Sequence, residues 1–267
     1  MTAVSSSSAA GSFLEAQLTD LADDALRSVY AWPDAADARD ADARWVRANF
    51  VATVDGAATR RGTSADLGGP GDLRVLETLR ELADVVLVGA RTITREGYGR
   101  IQVPREAAAR RRAAGLTPHP RTAVISRTLS SLPPDAHLLA DSPAVHTEPP
   151  LVYTTAAAPR DRVAAVAAGG AEIVEVADGD AELPAVLADL TGRGLRHILT
   201  EGGPSLFAAL IARGLVDELC LTVTPALAGP GAPRIVGTGD ESGSLTPLRL
   251  ASVLRDGSEL YTRWMRS

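Results

Sequence analysis

The chain has 267 residues, 45% of them hydrophobic, and a formal net charge of −6. Such a balance supports a sizeable core, argues against the basic surface that nucleic acid requires, and contains no run near the ~18 apolar residues of a membrane span. Cys220 is the single cysteine and lysine is absent, which excludes an internal disulfide, a zinc site built on several cysteines and a Schiff-base lysine.

Residues 1 to 12 are rich in Ser and Ala and carry no basic residue ahead of an apolar run. They read as a disordered start rather than a secretory signal, and the cytoplasm is the expected compartment. Leu14 to Tyr30 has a loose helical pattern ended by Trp32-Pro33, and Asp34 to Arg44 is a polar connector. The expected division is therefore an N-terminal extension over 1–44, partly disordered, and one folded domain over 45–267.

Trp45 to Val54 alternates as a strand does, with Arg47, Asn49, Val51 and Thr53 on one side, and Asp55-Gly56 closes it. Gly62 to Gly71 is a loop of small residues holding Ser64 and Asp66. Asp72 opens a helix expected to bury Leu73, Leu76, Leu79 and Ala83, with Arg80 beside that stripe. Val85 to Val88 is a wholly apolar strand ending in Gly89-Ala90-Arg91-Thr92, and Glu96 to Gly99 reads as a flexible loop. Arg105 to Arg112 reads as a solvated helix face. Thr122 to Ile125 is a strand ending in Ser126-Arg127. Strand, helix, strand and helix follow over 151–155, 160–168, 171–176 and 183–190.

Leu195 to Gly214 carries the densest signal. A short strand, Arg196 to Thr200, runs through Glu201 into Gly202-Gly203, and Pro204 opens a helix with Leu206, Phe207, Leu210 and Ile211 on one face. Glycines before a helix start leave its N–H groups free and approachable, which suits an anion. After it, Leu219, Leu221 and Val223 alternate in a strand. Two final strands, 248–254 and 259–264, are joined by Asp256-Gly257, a strong hairpin signal. Strands alternate with helices until the end, so the fold class is α/β: a mostly parallel central sheet with an antiparallel hairpin at its edge.

Three strand ends, at Gly89–Thr92, Ser126-Arg127 and Gly202–Leu206, offer donors on one sheet edge, as an elongated dinucleotide requires. The G-x-G-x-x-G fingerprint and a ribose-binding acid are both absent, and Ser126-Arg127 suits a ribose 2′-phosphate, so NADPH is favoured over NADH. His119, His137, His146 and His197 form no nucleophile–base pattern. Hydride transfer needs little such equipment, because the cofactor carries the reactivity.

Three segments together carry a family resemblance: Asn49–Gly56 (NFVATVDG), Leu87–Thr92 (LVGART) and Thr200–Leu206 (TEGGPSL). In order and at this spacing they resemble the pyrimidine reductase domain of riboflavin biosynthesis, which shares the dihydrofolate reductase fold, over about residues 45 to 265. The resemblance implies a stand-alone, cytoplasmic, NADPH-dependent reductase of the 5-amino-6-(5-phosphoribosylamino)uracil type, commonly a homodimer. It places Val51, Asp66, Thr92, Glu96, Ser126 and Gly203 to Leu206 (Gly203, Pro204, Ser205, Leu206) at cofactor positions, and the strand ends themselves add Gly89, Gly202 and Arg127. Asn49, Ser64, Arg80 and Glu201 fall at substrate positions, with Arg80 expected on a phosphate or ring carbonyl and Glu201 on the pyrimidine or sugar hydroxyls. Two departures stand out: Asn49 replaces a Lys of some bifunctional relatives, and the loop after Glu96 lacks their acidic-Pro-Leu-Arg run. Asp72 sits near the position from which dihydrofolate reductases hold the pterin, so a pteridine substrate stays open, as does a nucleotide-binding protein without turnover.

Overall fold

The computed structural model describes residues 14–33, 44–140, 148–179, 182–237 and 245–267; the expected disorder over 1–12, most of the 34–44 connector and His146 lie outside them. In chain order the elements are β1 (Leu14–Gln17), α1 (Asp23–Val29), β2 (Trp45–Thr53), α2 (Pro70–Leu82), β3 (Val85–Gly89) and α3 (Ala90–Glu96). Next come α4 (Arg105–Ala113), β4 (Arg121–Ile125), β5 (Leu151–Thr154), α5 (Arg160–Ala168) and β6 (Glu172–Glu175). The chain closes with α6 (Glu182–Gly192), β7 (His197–Gly202), α7 (Pro204–Ala212), β8 (Glu218–Thr224), β9 (Leu248–Asp256) and β10 (Glu259–Arg266).

The strands form one ten-stranded sheet in the order β1-β9-β10-β8-β2-β7-β3-β4-β5-β6. Neighbours from β8 to β6 pair in parallel, and β10 runs antiparallel to both β8 and β9. Helices cover both faces, because central strands such as β3 are apolar on both sides and each face needs its own cover. On one face Leu26 of α1 and Val75 and Leu79 of α2 pack on Val86, Val88 and Leu199; on the other, Val186, Leu187 and Leu190 of α6 pack on Val85, Leu87, Ala123 and Ile198. Among the described residues no helix is long and apolar enough to cross a membrane.

Several expectations change. Leu14 to Tyr30 is not one helix but a strand, a 3-10 turn and a short helix, and it belongs to the same core: Leu18, Leu26 and Tyr30 are buried. β1 pairs in parallel with β9, Leu14 opposite Ser252, so the C-terminal hairpin is not the outer edge. On α2, Leu79 and Ala83 are buried as expected, but Leu73 is 54% exposed and Leu76 half-buried, and Gly71, Val75, Thr78 and Glu81 complete the buried side. On β8 the buried side is Glu218, Cys220 and Thr222, while the alternating Leu219, Leu221 and Val223 are half-buried. The α4 arginines are not all solvated either: Arg111 is buried and donates to the carbonyls of Glu81, Ala83 and Thr117.

A charged knot closes the N-terminal segment onto the sheet. Glu218, wholly buried, meets Arg47 Nε and Arg263 Nε at 2.7 Å each and accepts from Trp45 Nε1 at 2.9 Å. The two arginines then donate to the carbonyls of Tyr30 and Val29, which fixes the end of α1. Burial alone would raise the Glu218 carboxyl, but the two guanidinium charges outweigh it and hold the pKa below the ordinary value.

Candidate active site

β7, β3 and β4 lie side by side, so their three C-terminal corners meet. Between them is a cavity of about 690 Å³. Gly89 and Thr92 line it from the first corner, Ser126 and Arg127 from the second, and Gly203, Pro204, Ser205 and Leu206 from the third. Its other cationic walls are Arg91, Arg95 and Arg213.

The third corner is built by its glycines. Gly202 has φ +90°, a conformation glycine alone adopts readily, and a Cβ there would stand 2.8 Å from the Phe50 ring. The cis peptide to Gly203 follows, and the first helical bond of α7 is Phe207 N–H to Gly203 O at 3.0 Å. The N–H groups of Gly203, Ser205 and Leu206 have no acceptor among the described residues, and they open the helix beside the cavity. Gly237 N–H donates to Pro204 O at 3.0 Å and so holds this corner from the far side.

Not every residue expected at the cofactor lines this cavity. Val51 is buried in β2, Gly202 lies behind the turn, and Asp66 is exposed on its loop. Glu96 ends α3, where Oε1 accepts the Ser64 N–H at 3.1 Å. Arg127 is engaged by two carboxylates that sequence reasoning missed: it pairs with Asp178, and its Nε lies 3.4 Å from Glu182 Oε2. The Asp178 hydrogen bond raises the Arg127 pKa, and burial raises that of Glu182.

Of the residues expected at the substrate, Ser64 stands apart with its N–H on Glu96, and the other four fall into two groups. Arg80 meets Glu201 in a two-pronged pair, Nε to Oε1 and Nη2 to Oε2, both at 2.7 Å. Tyr98 Oη donates to Glu201 Oε2 at 2.9 Å. Burial pulls the Arg80 pKa down, but the hydrogen bonds and charge of Glu201 more than offset it, so the guanidinium is firmly cationic. Arg80 is thus partnered with Glu201, and Tyr98 is a residue the sequence reading missed. The segment Glu96 to Gly99, expected to be flexible, is a helix cap: Gly97 is left-handed, φ +67°, and Tyr98 N–H bonds to Ile93 O.

Asp72 forms the second group, nearer the C-terminal hairpin. Burial, with the charge of Glu259 nearby, raises its pKa above the ordinary value, and Thr222 of β8 opposes that rise. Asn49 faces the same side of the sheet, opposite Cys220, and its Oδ1 is buried without a partner. A buried acceptor left unpaired is costly, so this atom marks a place where a donor belongs.

A family model, the RibD C-terminal domain, matches residues 44–262. The chain is 28% identical over 194 residues, 72% of its length and 80% of the relative's, to the 2,5-diamino-6-ribosylamino-4(3H)-pyrimidinone 5′-phosphate reductase of Aquifex aeolicus. It is 27% identical over 223 residues, 82% of its length and 97% of the relative's, to the enzyme of that name from Methanothermobacter thermautotrophicus. A solved pyrimidine reductase-like protein from Corynebacterium diphtheriae superposes with a TM-score of 0.76 at 26% identity, covering 91% of this chain and 98% of the other. The three-layer architecture is that of dihydrofolate reductase, and the chain belongs to the family of RibD C-terminal domains.

Proposed function

We propose that this protein is an NADPH-dependent reductase of a ribosylaminopyrimidine phosphate, reducing the sugar carbon that carries the amine. The observation that carries the reading is one run of backbone: Glu201 belongs to the polar cluster under α2, and Gly203, two residues on, lines the cavity. NADPH fits the residues present, because a Cβ at Gly203 would fill the cradle and free N–H groups stand ready for a pyrophosphate. Gly203, Ser205 and Leu206 would hold the pyrophosphate, and Ser126 with Arg127 the 2′-phosphate; when bound, the cofactor supplies hydride. The chain's part is placement. Glu201, fixed by Arg80, accepts hydrogen bonds from ring N–H groups or sugar hydroxyls. The sugar opens by breaking its C1′–O4′ bond, O4′ gains a proton, and C1′ receives the hydride.

A pteridine substrate is the second reading, and Asp72 favours it. A carboxylate held against Thr222 matches a 2-amino and ring N–H edge, which a pterin and a diaminopyrimidinone share and a uracil lacks. NADPH oxidation with the uracil, the diaminopyrimidinone and dihydrofolate separates these readings. Turnover of either ribosylaminopyrimidine, lost in Glu201→Gln, supports the proposal. Turnover of dihydrofolate alone, abolished by Asp72→Asn, would replace it.

The reading includes a cytoplasmic homodimer. Leu219, Leu221 and Val223 of β8, with Leu260 and Trp264 of β10, form a half-buried apolar row outside both cores. Sedimentation finding a monomer at micromolar concentration would remove that part.

A further inference from the structure

Tyr98 reaches Glu201 because of how α3 ends. Gly97 turns left-handed at the cap, Tyr98 N–H closes back on Ile93 O at 3.0 Å, and the side chain points to the sheet. Its ring centroid lies 5.5 Å from the Arg80 guanidinium carbon. A carboxylate has about four lone-pair directions. Arg80 occupies one on each oxygen of Glu201, and the Tyr98 hydroxyl takes a second on Oε2. What remains is one direction on Oε1. Without the hydroxyl, Oε2 would regain a free direction and the carboxylate would have two ways to meet a ligand.

We infer that Tyr98 is a positioning residue: acting through Glu201, it leaves that carboxylate one acceptor direction, matched to a ring N–H or sugar O–H of the substrate. This rests on the reductase reading above. Burial and the Glu201 charge raise the Tyr98 pKa, which keeps the phenol a donor across the working range. The sequence around Tyr98 gives no hint of this, since it reads as a glycine-flanked loop.

The test is a double-mutant cycle with Tyr98→Phe, Glu201→Gln and both together. Two quantities are read for all four proteins: kcat/KM for the ribosylaminopyrimidine phosphate, and calorimetric binding of the free diaminopyrimidinone ring. Tyr98→Phe is expected to lower both by about tenfold, the scale of one hydrogen bond to a charged group. NADPH affinity should be unchanged. In the Glu201→Gln background the same substitution should cost less than about twofold, because the partner through which it acts is gone. An equal loss in both backgrounds, or NADPH affinity falling in step, would show Tyr98 to be packing only and overturn the inference. Coupled ring binding without any turnover in the wild type would sink the reductase reading and leave this inference standing. Ring binding absent from the wild type would end both.

Discussion

Gly203 faces Thr92 so closely that a Cβ on it would stand 2.6 Å from the threonine Oγ1. Backbone conformation does not require glycine there, since φ is −72°; the left-handed residue is its neighbour Gly202. Gly203→Val therefore acts by bulk alone, pushing α3 from α7 where the pyrophosphate would lie. The expected outcome is loss of NADPH binding by fluorescence titration with the far-UV spectrum retained. Wild-type affinity in this variant would make the turn a structural corner only.

Arg127 stands at the cavity wall but pairs with Asp178. If it holds the 2′-phosphate, Arg127→Ala should weaken NADPH by about 1–3 kcal/mol and leave NADH nearly unchanged. Asp178→Asn should strengthen NADPH slightly by releasing the guanidinium. Calorimetry with both cofactors decides it, and equal losses for NADH and NADPH would move the phosphate elsewhere, toward Arg91 or Arg95.

Glu218 supplies a stability test with a defined pH signature. Glu218→Gln leaves Arg47 buried beside a neutral amide, and removing one partner of a buried ion pair costs about 3–5 kcal/mol. Because the folded-state pKa is held below the ordinary 4.5, the stabilisation is complete above that value and is lost as pH falls further toward the folded pKa. Urea midpoints of the wild type should thus hold this contribution from neutral pH down to about 5 and lose it only below the ordinary value. The variant should start lower and lack that component of the acid fall.

Leu26 gives a second stability test, in a segment the sequence reading treated as an extension. It is fully buried against α2, so Leu26→Ala should cost about 2–5 kcal/mol by transfer and cavity terms together. Thermal unfolding checks this, and a loss under about 1 kcal/mol would mean that α1 is only loosely docked.

The strands and two of the three corners were legible because they are written locally: apolar runs such as Val85–Val88, then glycine, then a helix start. The cluster around Glu201 was half legible. Arg80 and Glu201 stood out, but that they pair with each other depends on how α2 crosses the sheet. Tyr98 was hidden by its glycine neighbours, and Arg47, Arg111 and Glu218 by the ordinary rule that charges face water, which each breaks with a partner. The place of Leu14–Gln17 was illegible for another reason: a four-residue strand carries almost no pattern, and its partner lies at the other end of the chain.

That pairing bears on how the protein is made. Ribosomal synthesis delivers β1 and α1 first and β9 and β10 last, yet Leu14 pairs with Ser252 and Arg263 caps the carbonyl of Val29. β1 and the end of α1 must therefore wait for these partners until nearly the whole chain is made, although Leu26 can already pack on α2. Non-local closure of this kind slows folding and prolongs the exposure of apolar surface. A chain stalled before β9 would hold the three strand-end corners already formed and a β1 without a strand to pair with.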